Sequence, residues 1–276
     1  MFNKWNIFIM DMIKKFIRPF FNFLYLSSIH RLLSCKNPHI ALHSLLDENI
    51  FDAQDPNLTL INDIKSVNYL LGKRTSFEVS LDDGYKDNIK FTKLLYKKKE
   101  TISTIFIATR FIYEDEWQFN FDLWNYLVFL KIDNPKQEFV KMKNYLKHLD
   151  VNEQKNWFKH RDWIISKRSP IPFMNPIELS NLSKKKYVEI SLHGHSHISY
   201  ANLNLREAIN DIEKSRSLLD ENDVLYNPTK FAFPFGDLPT KFSIDEFMKQ
   251  ANLTELYGTN PYSSDPVRSR LLYWNE

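Results

Sequence analysis

From about residue 39 onward, short apolar runs alternate with longer stretches whose apolar positions recur every three or four residues. Five runs stand out: 39–43 (HIALH), 77–81 (FEVSL), 101–107 (TISTIFI), 187–192 (YVEISL) and 230–233 (KFAF). Each is β-branched or aromatic and ends at polar or turn-forming residues, which predicts short buried strands. The clearest helical pattern spans 204–221, where Leu205, Ala208, Ile209, Ile212 and Leu219 form one stripe. Asn204 and Glu207, three positions apart, read as a capping box at its start. A second helix is expected after Asp87, burying Phe91, Leu94 and Leu95. Strands and helices in alternation predict an α/β fold, a mainly parallel sheet with helices outside it.

Residues 110–185 break that rhythm. They read as mostly helical, carry Trp117, Trp124, Trp157 and Trp163, and form an insertion between two strands. Such an insertion is expected to shape the substrate side; a lid, an oligomer contact and structural padding are the other readings. Near the N-terminus, Trp5, Phe8, Ile9, Ile13, Phe16 and Phe20 fall close to helical spacing, with Lys14, Lys15 and Arg18 between them. Residues 1–35 are therefore expected to form an amphipathic helical segment ahead of a domain over 36–276. The charge-free stretch 19–29 is too short to span a bilayer, and no small-x-small cleavage site follows an apolar core. Two readings of 1–33 stand side by side. In one, a cytoplasmic protein touches the inner face of a membrane peripherally; in the other, the segment packs on the domain.

Composition narrows the function classes. The 276 residues carry 37 basic and 34 acidic side chains, a net charge of +3. That balance lacks the footprint of a nucleic-acid binder, so no nucleic-acid partner is expected. Cys35 is the single cysteine, which leaves neither an intramolecular disulfide nor a Cys-rich zinc module.

Three predicted strands end in residues that carry chemistry. Leu81-Asp82-Asp83-Gly84-Tyr85 places two carboxylates at a strand terminus, where one can bind a metal and the other face a water. Alone, Asp-Asp-Gly reads as a turn before it reads as a metal site. Leu192-His193-Gly194-His195-Ser196-His197 concentrates three of the 8 histidines directly after a strand. If it curls into a helical turn, His193 and His197 face one side and complete a His₂Asp metal set. Phe231-Ala232-Phe233-Pro234-Phe235-Gly236-Asp237 offers an aromatic wall and turn N–H groups suited to an oxyanion. Functional groups gather at the C-terminal ends of parallel strands, and all three motifs lie there.

In that order, SLDDGYKDN, ISLHGHSHISY and FAFPFGD resemble the first three motifs of the polysaccharide deacetylases, carbohydrate esterase family 4. The resemblance implies an irregular (β/α)7 barrel and a hydrolase removing N-acetyl groups from an amino sugar in a polysaccharide or glycan precursor. It implies that Asp83, His193 and His197 hold a divalent metal, with zinc the expected ion, and that Asp82 is the general base. The backbone N–H of Phe235 would donate to the oxyanion, and Tyr85, Phe233, Phe235 and Arg270 would meet the substrate. The implied partner is an N-acetylated glycan or a lipid-linked amino sugar. His195 is not counted as a ligand.

Two features of the family pattern are missing. Where many members carry an Arg before the Pro-aromatic-Gly turn, this chain reads Lys230-Phe231-Ala232-Phe233; no late Leu-x-x-His follows His197, the last histidine. Arg268 or Arg270 is the candidate for the orienting role, and His43 for proton donation. A non-catalytic glycan-binding protein that keeps the barrel is the alternative. The intact Asp82 opposes it, because binding alone needs no base.

Overall fold

Strands form at the five apolar runs, with shifted ends: β1 (His39–Leu42), β2 (Glu78–Asp83), β3 (Ser103–Ile107), β4 (Val188–Leu192) and β5 (Asn227–Ala232). The structure, a computed structural model, describes residues 39–42, 78–166, 172–259, 267–269 and 271–272. The segment 1–35, His43 and Arg270 lie outside the described residues. β2 runs past the apolar pattern and takes Asp82 and Asp83 into the strand itself. The sequence pattern does not predict β6 (Glu255–Gly258), β7 (Val267–Ser269) or β8 (Leu271–Leu272). β7 and β8 are too short to display a period of two, and β6 has only two adjacent apolar residues, Leu256 and Tyr257.

All neighbouring strands pair in parallel, in the order β7-β6-β5-β4-β3-β2-β1-β8. β7 and β8 are one residue apart in sequence, yet β7 pairs with β6 and β8 with β1. The order therefore returns on itself. Inside, the ring of Phe106 in β3 lies 5.2 Å from that of Tyr257 in β6. A flat sheet would hold those strands about 14 Å apart. His39 in β1 meets the same tyrosine at 5.1 Å. The sheet is curled into the irregular (β/α)7 barrel expected from the sequence, its seventh position shared by two short strands. Phe106, Ala232 and Tyr257 fill the interior. The residues flanking Phe106, Ile105 and Ile107, join the larger core under the helices, as alternation along a strand requires.

Helix α1 (Asn88–Lys99) follows β2 and buries Phe91 and Leu95, while Leu94 is half-buried. Five helices stand between β3 and β4: α2 (Thr109–Tyr113), α3 (Phe119–Phe129), α4 (Pro135–Leu146), α5 (Val151–Lys159) and α6 (Pro176–Ser183). They are the helical insertion. Helix α7 (Leu205–Glu221) starts at the expected Asn204–Glu207 capping box, and α8 (Ile244–Gln250) precedes β6.

The insertion has its own core of Trp117, Phe119, Leu123, Leu127, Leu146 and Phe158. Asp122, 1% exposed, sits within it. Its carboxylate accepts from the indole N–H of Trp117 at 2.5 Å and of Trp163 at 3.2 Å, and from the N–H and hydroxyl of Ser166. A buried charge is tolerable there because four donors replace its water. Asp122→Ala should destabilise the protein by about 3 kcal/mol, since several buried donors lose their acceptor together. Urea unfolding followed by tryptophan fluorescence measures this, and Asp122→Asn, which keeps one carbonyl oxygen, should lose less.

Candidate metal centre

Strand register brings the three motifs together. Asp83 pairs with Ile107 and Ile107 with Leu192, so β2, β3 and β4 end level at one rim. Asp82 pairs with Phe106 and shares its inward face. Asp83 follows at φ 73°, a left-handed conformation that ends the alternation. Its carboxylate reaches the loop after β4, with Oδ1 3.4 Å from His193 Nε2 and 3.0 Å from His197 Nε2. One ligand atom from each of the three residues lies within 4.8 Å of the others.

The donors suit a cation. His193 Nδ1 donates to the Ala232 carbonyl oxygen at 2.8 Å. A carbonyl only accepts, so in the neutral ring Nδ1 carries the proton and Nε2 presents its lone pair toward Asp83. Burial lowers the pKa of His197 below its ordinary value, against the opposing pull of Asp83. That keeps a second imidazole available as a neutral ligand. Two imidazole nitrogens and a carboxylate oxygen, converging and buried, fit a divalent metal with a position left open.

The helical turn that would align His193 with His197 is not formed. The loop bends instead, with Gly194 at φ 75° and His197 at φ 51°. Asp211 in α7 holds the bend. Its Oδ2 accepts from the His195 N–H and the Tyr200 hydroxyl, each at 2.8 Å, and its Oδ1 from the Ser196 N–H at 2.9 Å. A Cβ on Gly194 would stand 2.5 Å from Asp211 Oδ2. His195 turns away from the metal set: Nδ1 contacts the Thr109 hydroxyl at 3.1 Å and Nε2 the Glu114 carboxylate at 3.2 Å. The ring of His197 is flanked by Phe111 at 5.2 Å and Phe235 at 4.7 Å.

A cavity of about 270 Å³ opens at this rim, with Asp82, Asp83, Tyr85, His197 and Phe235 in its wall. Phe233 departs from the expected substrate role. It is fully buried, packed against Tyr200, Phe231 and Phe247 at 5.1–5.8 Å, because it follows β5 into the outer core. Arg268 also stands elsewhere, paired with Glu255 at 3.3 Å. Ala232 occupies barrel interior beside Phe106 and Tyr257.

A family profile described as polysaccharide deacetylase matches residues 72–256, more than half of the chain. The chain belongs to the polysaccharide deacetylase family. No curated protein gives a significant match. Among solved structures, IcaB from Ammonifex degensii is similar at 13% identity and TM-score 0.47, covering 86% of this chain and 92% of IcaB. A de-N-acetylase from Aggregatibacter actinomycetemcomitans aligns at 12% identity and TM-score 0.48, covering 86% and 95%. The Streptococcus pyogenes deacetylase PplD aligns at 11% identity and TM-score 0.49, covering 86% and 92%.

Sequence reading of this deacetylase missed Asp211 and Arg110. Asp211 lies three residues after Ala208 and four before Ser215, both buried, and this spacing places a carboxylate beside the apolar stripe of α7. Arg110 is 6% exposed; its Nε donates to the Ser196 carbonyl at 3.3 Å and its guanidinium to the Trp117 carbonyl at 3.2 Å. Burial lowers its pKa to about 10, so it stays charged at neutral pH. For a divalent metal added to the Asp83–His193–His197 set, Gly194→Ala should weaken affinity by about ten- to a hundred-fold, by pushing on the clamp behind the loop. Competition against a chromophoric chelator reads the change, and an unaltered Kd would remove Asp211 from the account.

Proposed function

We propose that the protein is a metal-dependent N-deacetylase acting on an amino sugar of a glycan or glycan precursor. The observation that carries the reading is one carboxylate, Asp82, on the cavity wall directly beside a converging Asp83–His193–His197 set. Asp83, His193 and His197 would hold the ion, zinc being the expected one. A bound divalent ion supplies Lewis acidity, which acidifies a water and polarises an amide carbonyl. Asp82 takes a proton from the attacking water as its oxygen bonds to the acetamide carbon. The N–H of Phe235, at φ 58° in the turn after β5, donates to the developing oxyanion. As the C–N bond breaks, the proton on Asp82 passes to the leaving amine, giving acetate and a free amino sugar. Tyr85 and Phe235 flank the substrate. A second reading, glycan binding without turnover, draws on the stretch Lys230-Phe231-Ala232-Phe233, which carries no Arg before the Pro-Phe-Gly turn.

The setting of the reaction rests on sequence alone. The apolar and basic pattern of 1–33 would suit an enzyme working at the inner face of a membrane, where a lipid-linked amino sugar would be its substrate. No helix among the described residues is long and apolar enough to cross a membrane. The full chain should float with anionic liposomes and a chain starting near Lys36 should not; flotation of neither would end this placement.

Acetate release by metal-loaded protein from a panel of N-acetylated glycans tests the main reading. Asp82→Asn should keep its metal, by elemental analysis, and lose activity on the order of 10²-fold or more. Asp83→Asn should instead lose metal. Equal metal loss in both folded variants would overturn the division between base and ligand.

A further inference from the structure

The helical insertion supplies the other wall of the rim cavity, through Gln118, Asn120, Lys143 and their neighbours. Its chemistry differs from that of the barrel side. Gln118 is 7% exposed and its Oε1 accepts from the Tyr85 hydroxyl at 3.0 Å. With the oxygen engaged, the amide nitrogen of Gln118 has donors to offer. Two residues on, Asn120 Oδ1 is buried and has no hydrogen-bond partner among the described residues. A buried carbonyl oxygen without a donor is uncommon and asks for one from a ligand or a water. The wall thus offers donors and an acceptor close together, which matches the dual character of a sugar hydroxyl. Phe235 adds an apolar face against which ring C–H groups can pack, and Lys143, 6.0 Å from its ring centre, adds a positive charge. The space, about 270 Å³, lies just below the usual range of ligand sites, roughly 300 to 1,000 Å³. A space of that size suits one pyranose ring.

We infer that the insertion forms a single-residue sugar subsite, in which Gln118 and Asn120 hydrogen-bond hydroxyls of the ring bearing the acetamido group. This rests on the deacetylase reading for the placement of that group at Asp82 and His197. The insertion then determines specificity: it recognises one amino-sugar ring by its hydroxyls, and any further residues of the glycan lie outside the cavity.

The test uses the zinc-loaded full chain and N-acetylglucosamine as the probe, with binding followed by saturation-transfer NMR and titration. Asn120→Ala and Gln118→Met should each weaken binding about tenfold or more, the loss expected of a polar ligand contact, with metal content unchanged. Asn152→Ala, exposed on α5 and outside the cavity wall, should bind as the parent does. If Asn120→Ala does not fold, Gln118→Met decides alone. Parent-like binding by the folded variants, or no binding of the probe by the parent protein at millimolar concentration, overturns the subsite. Acetate release measured in parallel separates the two ideas. Binding that depends on Gln118 and Asn120 without acetate release keeps the subsite and removes the hydrolase; acetate release unaffected by either substitution, with parent-like binding, does the reverse.

Discussion

The rim of the barrel depends on a carboxylate that does not line its cavity. Asp211 gathers the N–H groups of His195 and Ser196 and the hydroxyl of Tyr200. Hydrogen bonds to a charged group contribute about 1.5–3 kcal/mol each. A left-handed residue other than glycine costs roughly 1–2 kcal/mol, and His197 is such a residue. Three bonds to Asp211 outweigh that strain comfortably. Gly194 is required for a different reason: its missing side chain leaves the space that the Asp211 carboxylate fills. The clamp thus lets two histidines four positions apart converge without a helix.

The insertion is tied into the same arrangement at several points. The Lys86 N–H donates to the Pro172 carbonyl and the Met174 N–H to the Gly84 carbonyl, while Tyr85 stacks on Phe173 at 4.6 Å. Asp237, just after the Pro-Phe-Gly turn, pairs with Lys147 at 2.8 Å and accepts from the Ser199 hydroxyl at 2.6 Å. Helical insertion, histidine loop and aromatic turn therefore meet at one half-buried carboxylate. Arg110 adds a second tie, since a single guanidinium serves the Ser196 and Trp117 carbonyls. The charges are buried enough that breaking one pair strands its partner, which makes these junctions costly to open.

The sequence made the fold legible where elements were long or strongly patterned. Five strands and the α7 capping box could be read from apolar spacing and one Asn-x-x-Glu. The last three strands could not: β7 and β8 have three and two residues and carry no period, and β6 (Glu-Leu-Tyr-Gly) has only two adjacent apolar residues. At the site, the Asp83–His193–His197 cluster and its neighbour Asp82 were legible because they are unusual residues crowded at strand ends. Phe233 misled because an aromatic in a functional motif looks the same whether it faces the cavity or the core, and only the chain's path after β5 decides that. Gln118, Asn120 and Lys143 were illegible for a related reason. Amides and lysines on helices ordinarily face water, and only the tertiary placement of the insertion turns them toward the barrel mouth.

The seam of the barrel also gives the order of synthesis a structural meaning. β1 pairs on one side with β2, but its other neighbour is β8, from Leu271–Leu272. As the chain leaves the ribosome, β1 gains its first neighbour early and its second only after the chain through Leu272 has emerged. The entropy of closing so large a loop grows only logarithmically with its length, yet contacts between distant segments are slow to form. Through that interval β1 remains an open sheet edge, with backbone groups available to any passing strand.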